Sequence, residues 1–179
     1  MENNLIKQQA SNAPEWFISS DSMLNHWQNH RKLTRLVIEA FPDVKLFKYS
    51  VGSMRPFAVM VKEMICIADS GIQCLFQDRP VSEPARHSGM AFANTKKEIL
   101  NLWDDVTYKI DVLWPLIPQQ RFHEATMVCE SHKKTTSEII LSWIDNEIHH
   151  RAHGCIYLRS LKIELPFLGN HALLNSAVT

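Results

Sequence analysis

Apolar residues recur every three or four positions in four stretches of the chain, the pattern of helices that each bury one face. The first stretch runs from about Ser20 to Ala40. Met23, Trp27, His30, Thr34, Val37 and Phe41 share one side, while Gln28, Arg31, Lys32, Arg35 and Glu39 fall mostly elsewhere. Pro42 stops it, because a proline breaks the helical hydrogen-bond ladder. The segment DVKLFKYSVGSM that follows reads as a loop with at most a short extended piece. A second helix opens at Ser53, a residue type that caps helix N-termini, with Pro56 tolerated in the first turn. Phe57, Met60, Met64, Ile67 and Gly71 make its buried stripe, and Glu63 flanks that stripe one turn from Met60 and Ile67.

From Gln77 to Asn94, two prolines and a glycine predict a connection with at most a short helical turn. A link of that length spans a bundle from end to end rather than closing a tight hairpin. Thr95-x-x-Glu98 is a capping box that opens a third helix, whose core face is Ile99, Trp103, Val106, Ile110 and Leu113 before Pro115 and Pro118 end it. Arg121 to Lys134 leans towards extended structure around Met127-Val128-Cys129 and reads as one extended arm. Thr135-x-x-Glu138 repeats the capping box and opens a last helix reaching about Lys162, roughly 40 Å at 1.5 Å per residue. Pro166 lies just beyond it. With no convincing sheet and no internal repeat, the reading is an all-α four-helix bundle with long connecting loops. It occupies residues 16–168, with tails at 1–15 and 169–179.

Composition narrows the setting. The 179 residues are 45% hydrophobic and 21% charged, which suits one domain with a substantial core. Nineteen basic residues balance nineteen acidic ones, so no nucleic-acid partner is expected, since such binding leans on phosphate neutralisation. No apolar run approaches the roughly 18 residues of a membrane-spanning helix, so no membrane partner is expected either. The start of the sequence has no basic segment followed by an apolar one, and so no secretion signal. Cys66, Cys74, Cys129 and Cys155 are scattered and read as reduced thiols, mostly buried. The expectation is a cytoplasmic protein.

The last helix carries the chemistry. Positions four apart on a helix lie about 6 Å apart on one face, so two side chains there can share an ion. Two registers qualify, Asn146 with His150 and His149 with His153. The stripe Ile140, Trp143, Glu147, His150, Gly154, Tyr157 or Leu158, and Leu161 turns His150 inward with Asn146 beside it. His153 falls at the edge, and His149 nearer the outside. A site in the bundle core needs a ligand from a facing helix, and Glu63 is the best candidate. Imidazole, carboxylate and amide oxygen together suit a borderline divalent ion with one open position. His26-x-x-x-His30 offers a further pair. The other reading makes these histidines hydrogen-bonded core or solvated residues and pairs Glu63 with a lysine or arginine. Cys155 is a small buried hydrophobe or, alternatively, a thiolate ligand.

His150-Arg151-Ala152-His153, then Tyr157-Leu158-Arg159-Ser160-Leu161, then Pro166-Phe167, resembles the last-helix signature of the DinB-like family. Ser53-Met54-Arg55-Pro56, followed eight residues after Arg55 by Glu63, is similar to that family's Arg-Ser…His stretch in its second helix. The resemblance implies a four-helix bundle in up-down-down-up order, often a homodimer, holding a divalent ion such as zinc, nickel or manganese. It also implies a metal-dependent transferase or hydrolase type of enzyme acting on a small electrophilic substrate with a low-molecular-weight thiol. Glu63 stands where the family has its second-helix histidine, Asn146 replaces the first of the last-helix pair, and His150 is retained. Ala152-His153 replaces Gly-Gln after the arginine. The resemblance therefore implies a ligand set of Glu63, Asn146 and His150, helped by His153 or His30, with Glu63 and His150 as the catalytic pair. The missing imidazoles also leave open a degenerate, non-catalytic bundle that acts as a ligand-binding or interaction module.

Overall fold

The computed structural model describes residues 18–79, 93–129 and 132–166, and over 126–133 the backbone alone. Four long helices make the bundle: α1 (Ser20–Ala40), α3 (Phe57–Phe76), α4 (Lys96–Leu113) and α5 (Thr136–Ser160). A six-residue helix, α2 (Asp43–Lys48), follows α1, and a two-stranded hairpin, β1 (Ala125–Cys129) with β2 (His132–Thr135), precedes α5. The expected tails at 1–15 and 169–179 and the connection at 80–92 lie outside the described residues, as does Phe167.

Helix starts follow local chemistry. Both capping boxes form. Thr95 and Thr135 each accept the backbone N–H of the glutamate three residues on, and Glu98 and Glu138 reach back to the threonine N–H. The expected start at Ser53 does not occur. Arg55 precedes Pro56, a position that disfavours helical backbone, so Met54–Pro56 stays outside the helix and α3 begins at Phe57. Asp43–Lys48, expected as a loop, is a helix that buries Leu46. Asp43 in its first turn and Lys45 and Lys48 in its last match the helix dipole. The single extended arm expected after Arg121 is instead the hairpin, pairing Ala125 with Thr135 and Thr126 with Lys134.

Side-chain pairs fix the order of the helices. From the start of α1 onwards, Trp27 meets Glu147, then His30 meets Arg151, so α1 and α5 run parallel. Gln28 bonds Asp111 whereas Arg35 bonds Asp104, so α1 and α4 are antiparallel. Trp143 covers Gly71 and Phe57 lies over Gly154, so α3 and α5 are antiparallel too. The bundle is therefore up-down-down-up, with α1 and α3 each packed on both α4 and α5. The two glycines are where helices approach most closely: a Cβ at Gly71 would lie 2.4 Å from Trp143, and one at Gly154 would lie 2.6 Å from Phe57. All the residues expected on the first apolar face are buried except half-buried His30, while Ile67, Leu113 and Leu161 in the other stripes are half-buried. No helix is long and apolar enough to cross a membrane among the described residues.

One core feature departs from the expected faces. Arg31 and Gln28, placed off the apolar side by periodicity, are buried, Arg31 completely. Arg31 Nη1 donates to Glu147 Oε1 at 2.5 Å, Nε to Thr107 Oγ1 at 2.8 Å and Nη2 to the Trp103 carbonyl at 3.2 Å. Its guanidinium also stacks 4.0 Å from the Trp103 ring centroid. Trp27 Nε1 donates to the same Glu147 oxygen at 3.2 Å.

Candidate functional site

α3 and α5 bring the candidate residues together at the Arg55 end of the bundle. Glu63 sits two turns into α3, and α5 presents Asn146, His149, His150 and His153 within two turns. His150 is nearly buried, at 6% exposure, and its Nε2 lies 3.3 Å from Glu63 Oε1 and 3.4 Å from the Asn146 amide nitrogen. The Glu63–Asn146–His150 grouping expected from spacing is present. His153 stands at its margin, half-buried, with its ring centroid 6.0 Å from that of His150.

A cation is also present. Arg55 Nη1 pairs with Glu63 Oε2 at 2.7 Å, the basic partner foreseen for Glu63 in the other reading. It comes from the extended segment before α3 rather than from across the bundle. Tyr157 on α5 donates its hydroxyl to the Arg55 carbonyl at 2.8 Å and so fixes that segment over the site. Partial burial alone would raise the Glu63 carboxyl, but hydrogen bonds from Arg55 and His150 outweigh it and hold the group below its usual value. Burial depresses His150, against the pull of Glu63, and burial with the charges of His149 and Arg55 depresses His153. Both imidazoles are neutral near pH 7 and free to offer lone pairs.

Three buried atoms here have no hydrogen-bonding partner among the described residues: Asn146 Oδ1, His150 Nδ1 and His153 Nδ1. Buried polar atoms are nearly always paired, so a concentration of orphaned acceptors invites a ligand that supplies positive charge or donors. The donor set of a carboxylate, an amide oxygen and neutral imidazoles fits a borderline dication. The ion pair from Arg55 opposes it, because any cation at Glu63 must compete with the guanidinium.

Other candidates fall outside this cluster. His30 is half-buried and its Nδ1 accepts from Arg151 Nη2 at 3.1 Å, so it serves the contact between α1 and α5 rather than the Glu63 site. His26 packs edge-on against it. Burial, then the charge of Arg151, pushes His30 down to about 4. Cys155 is buried and its thiol is pushed up by burial, as for a small hydrophobe; Cys66 and Cys74 are half-buried, and none of the three forms a disulfide. Arg55 is the functional candidate that sequence reasoning passed over. Its place before a helix-opening proline, eight residues ahead of Glu63, was the available signal.

No family model matches the sequence, and no curated protein matches it. Among solved structures, the chain is similar to a DinB-like protein from Bacillus cereus ATCC 10987, at 12% identity and a TM-score of 0.63 over 82% of this chain and 95% of that one. The order of helices and the pairing of α3 with α5 thus belong to a known architecture: this chain has the fold of a DinB-like protein.

Proposed function

We propose that the cluster of Glu63, Asn146 and His150, with His153 at its edge, is the divalent-ion centre of a metal-dependent enzyme of transferase or hydrolase type. The observation that carries this reading is the meeting of Glu63 Oε1 with His150 Nε2 at 3.3 Å, with the Asn146 side chain at the same nitrogen and its Oδ1 buried and unpartnered. Bound there, such an ion would supply Lewis acidity and lower the pKa of a coordinated thiol or water. The chain's own residues do the rest. Glu63 and His150 hold the centre from facing helices, and Asn146 orients the imidazole. His153, neutral and at the margin, is placed to take up a proton. Arg55, released from Glu63, is available to an anionic group of a small electrophilic substrate, with a low-molecular-weight thiol as the second reactant.

Metal analysis of untagged protein tests this reading. Near-stoichiometric zinc, nickel or manganese is expected in the parent and loss of it in Glu63→Ala and His150→Ala; sub-stoichiometric metal that neither substitution changes rejects it. A second reading, a non-catalytic bundle that binds a ligand or partner, is favoured by the 2.7 Å Arg55–Glu63 pair, which already neutralises the carboxylate. On that reading, a thermal-shift screen of divalent ions leaves the melting temperature unchanged.

A further inference from the structure

α5 offers a second set of donors that does not need Glu63. His149, His150 and His153 lie within one turn and a fraction, and each can bring a ring nitrogen within 4.8 Å of the other two. The ring centroids of His149 and His153, at the i, i+4 spacing, are 4.4 Å apart, and that of His149 is 5.3 Å from that of His150. We infer that these three histidines form an all-imidazole site for a borderline d-block dication, open to solvent at the edge of α5 and separate from the carboxylate-containing cluster.

The chemistry favours nitrogen-preferring ions such as copper(II), nickel(II) or zinc(II). A tetrahedral ion with metal–nitrogen bonds of about 2.1 Å needs nitrogens roughly 3.3 Å apart. From spacings of up to 4.8 Å, binding asks side-chain rotation to draw the nitrogens in by roughly one to two ångströms. His149 is exposed and so free to turn, and the Nδ1 atoms of His150 and His153 have no hydrogen bond among the described residues to break. The nearest fixed positive charge, Arg55, is offset by its pairing with Glu63. A fourth position on the solvent side stays open for water or an exchangeable ligand. The loss of an imidazole at Asn146 is thus matched by a gain one register away, at His149 and His153. This site does not rest on the function proposed above, although it shares His150 and the edge residue His153 with that centre.

Titration of the untagged protein with zinc(II) and copper(II), followed calorimetrically, separates the two. His149→Ala and His153→Ala are each expected to weaken binding at least about fivefold, while His26→Ala, an exposed histidine on α1, stays within about twofold. His149 is exposed, so its substitution leaves the fold intact, as helical circular dichroism verifies. The copper(II) electron paramagnetic resonance spectrum should show coupling to three imidazole nitrogens. A smaller effect of His149→Ala, an equal loss in His26→Ala, or coupling to two nitrogens or fewer overturns the proposal. Loss of a tightly held ion in Glu63→Ala alone bears on the other centre.

Discussion

Arg31 shows how a single residue can contradict the pattern that encloses it. The helical period puts it beside the solvated Lys32 and Arg35, yet it is completely buried because Glu147, from a helix more than a hundred positions away, needs a cation. Glu147 itself fell within an apolar stripe, which was the legible half of the pair; its partner depended on which helix would face it. Burial pushes Glu147 up and Arg31 down, while their mutual attraction opposes both, and the two donors converging on Glu147 Oε1 favour the ionised pair. Removing one member leaves an uncompensated buried charge, so Glu147→Ala should cost about 3–5 kcal/mol in urea unfolding. Replacing both residues by apolar ones of similar volume should recover most of that loss. His30 makes a different kind of prediction. Its folded value, about 4, lies below the unfolded 6.5. Its contribution to stability is therefore present above pH 6.5 and is lost as pH falls towards 4. Thermal melts across that window should fall less steeply for His30→Gln, which retains an acceptor for Arg151, than for the parent.

At the scale of elements, the long helices were legible because each repeats its apolar period over many turns and carries chemical punctuation. Thr95 and Thr135 cap as their sequence motifs state. The misread elements are those with little to repeat. α2 has one buried residue in six, and β2 (HKKT) has no apolar alternation to betray it. The start of α3 was misjudged for another reason: the constraint that Pro56 places on Arg55 outweighs the capping tendency of Ser53. Close contact between α3 and α5 depends on Gly71, over which the Trp143 ring lies. Gly71→Ala gains about 1 kcal/mol of helix propensity but forces the ring aside, at about 1–3 kcal/mol. Urea unfolding should show net destabilisation, the reverse of the usual result in a helix interior.

For the whole molecule, the bundle and the meeting of Glu63 with His150 could both be read before any coordinates, since a flanking acid and an inward imidazole sit on the stripes that pack together. What could not be read was the third participant, because Arg55 reaches the site through an extended segment held by Tyr157. The parallel course of α1 and α5 carries one more consequence. Because Trp27 lies level with Glu147, the first turn of α1 stands beside the second turn of α5, and it is separated from the last turn of α5 by roughly 30 Å, the rise of about 20 helical residues. Joining them in a circularly permuted chain would take a bridge of at least about nine extended residues. Fluorophores placed near Ser20 and Ser160 would sit at a separation suited to energy transfer, giving a ruler along the bundle's long axis.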